Sequence, residues 1–135
     1  MNYILFGILG IISAYIFILY GQKINREKSV LSAGLVIAAL IYIFFAFIWG
    51  DAYWIGIETV GVLLYSIFFF LGKRFDFRWV GVGWLLHPIW DVVLHLYGGG
   101  SVVAPEWYAV ACLTFDFVMA GYIFWKFSGD NSLEK

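Results

Sequence analysis

From residue 3 to residue 20, and again from 30 to 49, the chain runs without one charged side chain. A helix needs about 20 mostly apolar residues to cross the hydrocarbon core of a bilayer, so each run is long enough for one crossing. Three more runs, 53–71, 77–96 and 106–127, are nearly as apolar but carry isolated polar residues. With 64% hydrophobic and 13% charged residues in a chain of 135, a soluble fold would have too little interior for its apolar side chains. The expected fold class is all-α, a polytopic membrane helical bundle of five transmembrane helices. It forms one domain over residues 1–128, with a short polar cytoplasmic tail at 129–135.

Basic residues orient this arrangement. Lys23, Arg26 and Lys28, then Lys73, Arg74 and Arg78, then Lys126 and Lys135 all fall on one side of five alternating spans. Positive charge collects on the cytoplasmic side, which predicts an outside N-terminus and a cytoplasmic C-terminus in the bacterial cytoplasmic (inner) membrane. Trp49, Trp54 and Trp107 then fall near the outer interface and Trp79 and Trp125 near the inner one, where indoles prefer to sit. The first run has no basic stretch ahead of it and no small-residue cleavage site behind it, and is expected to be a retained helix.

Connections are short, at 21–28, 50–52, 73–76 and around Gly98, Gly99 and Gly100. Short connections make sequential helices antiparallel neighbours. Five spans do not divide into two inverted repeats; a homodimer would restore that symmetry. Small residues at Gly7, Gly10, Ser13, Gly34, Ala38 and Ala39 suit close helix packing, so the first two spans read as scaffold.

Polar chemistry is confined to the last three spans: Glu58, then His87, Asp91 and His95, then Cys112 and Asp116. An ionisable residue in a span costs roughly 2.5–3.5 kcal/mol on insertion scales and generally faces a protein interior or a water-filled cavity. Steps of four in an α-helix return near one azimuth, which would place His87, Asp91 and His95 on one face. At about 1.5 Å rise per residue, Glu58 should lie level with His95, and Asp116 level with His87 or Asp91. Pro88 should free the Trp84 carbonyl and kink the helix at this point. The expectation is a polar cleft opening to the outer face and ending near mid-membrane, with Trp84, Trp90, Tyr108 and Cys112 as its substrate-binding walls.

Three uses of such a cleft compete. His87, Asp91, His95 and Glu58 offer nitrogen and oxygen ligands for a divalent metal such as zinc, though His87 and His95 are too far apart along the helix to share one ion. Without metal, His87, Asp91 and Asp116 form a catalytic acid–base set for an apolar small-molecule substrate, a lipid or isoprenoid drawn from the membrane lipids. The same titratable ladder would suit a proton-coupled transporter. Against all three stands a non-catalytic accessory subunit, in which these groups only tie helices together. Cys112, the sole cysteine, is more often a small buried hydrophobe than a nucleophile.

Several classes are excluded outright. One cysteine permits neither an intramolecular disulfide nor a cysteine-based zinc knuckle. No lysine lies in the interior of a span to hold a retinal Schiff base, Lys126 being at the cytoplasmic end of the fifth. Neither a P-loop nor a Gly-x-Ser-x-Gly elbow is present. A net charge of −1 with scattered basic loops leaves no nucleic-acid footprint.

The run Gly83-Trp84-Leu85-Leu86-His87, with Trp90-Asp91, then His95-Leu96-Tyr97-Gly98, then Cys112 and Asp116 in the next span, resembles a family of small bacterial integral membrane proteins of unknown function. The resemblance covers the chain from about residue 76 to its end. Members of that family place two adjacent histidines before the Leu-Tyr-Gly, where this chain has Leu94-His95, so a double-histidine ligand pair is not implied here. The resemblance implies a pocket at His87, Asp91, His95, Cys112 and Asp116 and brings no activity with it.

Overall fold

A computed structural model describes residues 2–128. The expected tail at 129–135 lies outside the described residues. Four of the apolar runs become long helices: α1 (Tyr3–Lys23), α2 (Glu27–Trp49), α3 (Ala52–Arg74) and α5 (Glu106–Phe127). Each is long and apolar enough to cross a membrane, and at most 33% of any one apolar window is buried inside the bundle. The remainder forms a continuous apolar exterior far larger than a water-soluble monomer exposes.

The fourth run departs from a uniform helix. α4 (Arg78–Asp91) has 14 residues of α-helix, after which a π-helical segment takes Val92–Tyr97 and a 3₁₀ turn Gly100–Val102. At 1.5 Å per residue, α4 reaches about 21 Å, short of a core about 30 Å thick. The single helix expected over 77–96 is therefore a composite. Pro88 lies inside α4 and removes one backbone donor, and the wider π turn begins four residues later.

Around the bundle the order is α1, α5, α4, α3, α2, with α2 also touching α4 across the middle. Seven of the 14 residues of α4 are buried: Val80, Gly81, Gly83, Trp84, His87, Pro88 and Asp91. The least apolar helix is thus the most enclosed, which keeps its polar groups away from the exterior. Sequential helices are neighbours, as short connections require; the pairing of α1 with α5 closes the ring. Thr114 on α5 bonds the Gly7 carbonyl on α1 at 2.8 Å, and the Tyr3 hydroxyl donates to Glu106 at 3.2 Å.

The ends of the helices are held by side chains. Asn2 accepts from the Leu5 amide and Asp51 from the Trp54 amide, each satisfying a donor that the first turn leaves free. At the basic end, Lys126 reaches Glu27 at 2.7 Å and Tyr122 also bonds Glu27, joining α5 to α2. In the α3–α4 connection, the Arg78 guanidinium bonds Asp76 and holds its carboxyl below the usual carboxylate range. Trp84, fully buried on α4, donates its indole N–H to the Leu31 carbonyl on α2 at 3.0 Å. Trp84→Phe removes this bond together with one ring of a fully buried indole, so the expected cost exceeds the roughly 0.5–1.5 kcal/mol of the bond alone. A lower thermal midpoint in detergent would register the loss, and an unchanged midpoint would show that the bond contributes nothing.

Candidate metal centre

His87 and Asp91 lie one turn apart on α4, and Asp116 faces them from the middle of α5. The His87 Nδ1 is 2.7 Å from one Asp116 oxygen and 3.5 Å from one Asp91 oxygen. An ionised carboxylate only accepts, so in this arrangement Nδ1–H donates to Asp116. None of the three residues exceeds 1% exposure. Both Asp91 oxygens and the second Asp116 oxygen have no hydrogen-bond partner among the described residues. Such orphaned acceptors are rare in a packed interior and mark a place for something that neutralises them.

A metal ion satisfies this geometry. One ligand atom from each of His87, Asp91 and Asp116 lies within 4.8 Å of the others. Tetrahedral zinc with bonds near 2.0–2.1 Å separates its ligand atoms by about 3.3 Å, close to the 3.5 Å between His87 and Asp91. A metal held at Nδ1 would replace the proton that His87 otherwise donates to Asp116. One nitrogen and two carboxylate oxygens suit zinc, manganese or iron, and leave coordination positions for water or substrate.

His95 and Glu58 do not join this group. Their closest atoms, His95 Nε2 and Glu58 Oε1, are 2.8 Å apart in a buried pair that is not aligned as a hydrogen bond. His95 Nδ1 faces the Gly100 carbonyl at 3.2 Å, and Trp90 donates to the other Glu58 oxygen at 3.3 Å. With Nδ1 donating to a carbonyl, the contact at Nε2 requires a proton on one of the two partners. The glycine loop makes this possible, because Gly99 adopts φ +82° and a Cβ on Gly100 would meet His95 Nδ1 at 2.6 Å.

The expected level of Glu58 with His95, and of Asp116 with His87, matches these contacts. His87, Asp91 and His95 all face the bundle interior, and Tyr42 packs against both histidines, but His95, carried on the π segment, takes Glu58 of α3 as its partner. The ligand candidates thus divide into a three-residue cluster and a separate pair.

Between the two groups stands Tyr42 of α2, which the charge-free second run concealed. Its ring stacks on His95 at 4.5 Å and tilts against His87 at 5.8 Å. The buried hydroxyl lies beside Asp91 and Cys112 and can donate to either, although neither contact is a well-formed hydrogen bond. Tyr65 of α3 meets the His87 ring edge-on at 4.9 Å. Phenols favour membrane interfaces, so a tyrosine in mid-run was the available signal for both.

A crevice of about 260 Å³ lies between α1, α2 and α5 and reaches Asp116. Trp84, Tyr108 and Cys112 line it, as expected of substrate walls; Trp90 does not, being engaged with Glu58 and packed on Gly61. The lining comes from helix middles, including Gly10, Ser13, Gly34 and Ala38.

Residues 5–130 match the model of a family described as "Family of unknown function (DUF6010)". That match extends well ahead of the region that carried the resemblance. No curated protein and no solved structure matches the chain.

Proposed function

The chain belongs to this family of unknown function, and from that premise we propose a membrane metalloenzyme that acts on a lipid-soluble substrate at His87, Asp91 and Asp116. The observation that carries the proposal is the convergence of three fully buried ligand residues with three orphaned carboxylate oxygens. Two carboxylates beside one imidazole leave excess negative charge in a low-dielectric interior, and a divalent cation cancels it. A transporter needs titratable groups spaced along a path, whereas these three are clustered.

In this reading α4 and its π extension form a fifth crossing of a bacterial inner membrane. The N-terminus is outside and the basic connections are cytoplasmic. A bound cation would act as a Lewis acid on a substrate oxygen or on water. The chain's own part is to exclude bulk water, to hold the two carboxylates in register through the α4–α5 contact, and to orient His87 between Tyr42 and Tyr65. With one Asp91 oxygen on the metal, its second oxygen is the group placed to take a proton from a substrate.

Protein purified without a histidine tag or chelators should contain about one divalent ion per chain by plasma mass spectrometry. Glu58→Gln should retain that ion, because Glu58 belongs to the separate pair with His95. Metal-free wild-type protein would sink the metal assignment.

A further inference from the structure

The lateral crevice is the one cavity among those described that joins the apolar exterior to a buried carboxylate. Its mouth lies at Ser13 and Ile37, both exposed at the middle of their helices, and its end at Asp116. A substrate arriving from lipid therefore need not pass through water. No lysine or arginine is among the lining residues; the only charged group there is Asp116. The capacity, about 260 Å³, equals roughly nine water volumes at about 30 Å³ each. That is room for one narrow chain segment and not for two side by side.

We infer that the crevice is a binding site for a single-chain amphiphile with an uncharged polar head. The head lies against Asp116 and the tail runs out between Ser13 and Ile37 into the membrane. The chemistry of the head follows from charge. A divalent ion with Asp91 and Asp116 is a neutral assembly, which accepts an alcohol, aldehyde or ester oxygen without leaving net charge in the interior. A phosphate or diphosphate head would add negative charge beside two carboxylates with no basic side chain to meet it. Ala38 borders the passage at the depth where the tail would lie, Gly10 and Gly34 let α5 and Phe17 pack closely beside it, and the Phe17 and Phe115 rings supply its walls. The position of the head against the metal ligands, and its fit to a neutral metal assembly, rest on the function proposed above; the crevice, the single chain in it and the lack of basic residues to meet a phosphate do not.

The test uses a long-chain alcohol bearing a diazirine in its tail, and the matching alkyl phosphate, each photolysed with the whole protein in lipid vesicles. The alcohol should label residues 10–17, 34–41 and 111–116 saturably, and excess unlabelled alcohol should remove that label. The phosphate should compete about 100-fold less well, reflecting the cost of bringing a charge to mid-membrane depth. Ala38→Trp should block labelling, while Ile67→Trp, on the exposed face of α3, should not. Should Ala38→Trp fail to fold, saturation and competition in the wild type decide alone. Non-saturable label spread over exposed residues such as Ile4 and Ile67, or equal competition by the phosphate, would overturn the assignment. Metal content measured on the same preparation separates the two proposals. Saturable labelling without metal leaves the crevice standing and removes the metalloenzyme, and metal without saturable labelling does the reverse.

Discussion

Asp116→Asn is expected to strip the metal from the protein while leaving the bundle folded. The substitution keeps the shape of the side chain and an oxygen that accepts from His87, whose Nδ1 lies 2.7 Å away. It removes the negative charge, and a neutral amide is a poor ligand for a transition metal. Changing an outer partner of a metal ligand already costs about 10–100-fold in affinity, so losing a ligand should cost more than about 100-fold. The metal found by plasma mass spectrometry should fall from about one ion per chain to background. The stability of the metal-free fold should move little, since one intramembrane polar contact contributes about 0.6 kcal/mol on average. An accessory-subunit role predicts the opposite pattern, with unchanged metal content and a bundle that loosens. Retention of a full ion by a folded Asp116→Asn variant would remove Asp116 from the ligand set.

Gly10→Leu should produce the largest loss of stability of any single change at the α1–α5 contact. A Cβ at residue 10 would lie 2.1 Å from both the Ala111 carbonyl oxygen and the Thr114 hydroxyl. Backbone atoms of α5 cannot rotate aside, so α1 must move away as a unit. That movement breaks the bond from Thr114 to the Gly7 carbonyl and opens the packing around Ala14. Overpacking a well-filled interior costs about 1–3 kcal/mol, and the upper end is expected where the obstruction is main chain. Gly56→Ala and Gly121→Ala supply the comparison, because a Cβ at either position meets nothing within 4 Å. Both should leave the thermal midpoint in detergent unchanged or slightly raised, since alanine favours a helix over glycine by up to about 1 kcal/mol. Equal behaviour of Gly10→Leu and Gly56→Ala would show that the close approach of α1 to α5 does not hold the bundle together.

Much of the site was readable as composition and spacing. Asp91 and Asp116 stand out because a carboxylate in an apolar run has few tolerable places to be. The depth arithmetic matched Glu58 to His95 and Asp116 to His87, since rise per residue is a local property of any helix. The π segment at Val92–Tyr97 was not readable, and with it the division that pairs His95 with Glu58 apart from the His87 cluster. Tyr42 was missed for another reason. It sits in a run without charge, and its relation to His87 and His95 exists only across the interface of α2 with α4.

Long apolar helices, with carboxylates and histidines confined to the last three runs, follow from composition alone. Hydrophobicity and helical rise act within one segment, so both can be read from neighbouring residues. Which helices touch is a property of the fold. It enclosed α4 between α5, α3 and α2, brought α1 against α5, and separated His95 and Glu58 from His87, Asp91 and Asp116. It also formed a crevice between α1 and α2 that reaches Asp116. The physical reason is that every apolar face is equally at home in lipid, so hydrophobicity ranks no pairing above another. The choice falls to close steric fit, such as Gly10 against Ala111, and to the need of buried carboxylates for partners from other helices.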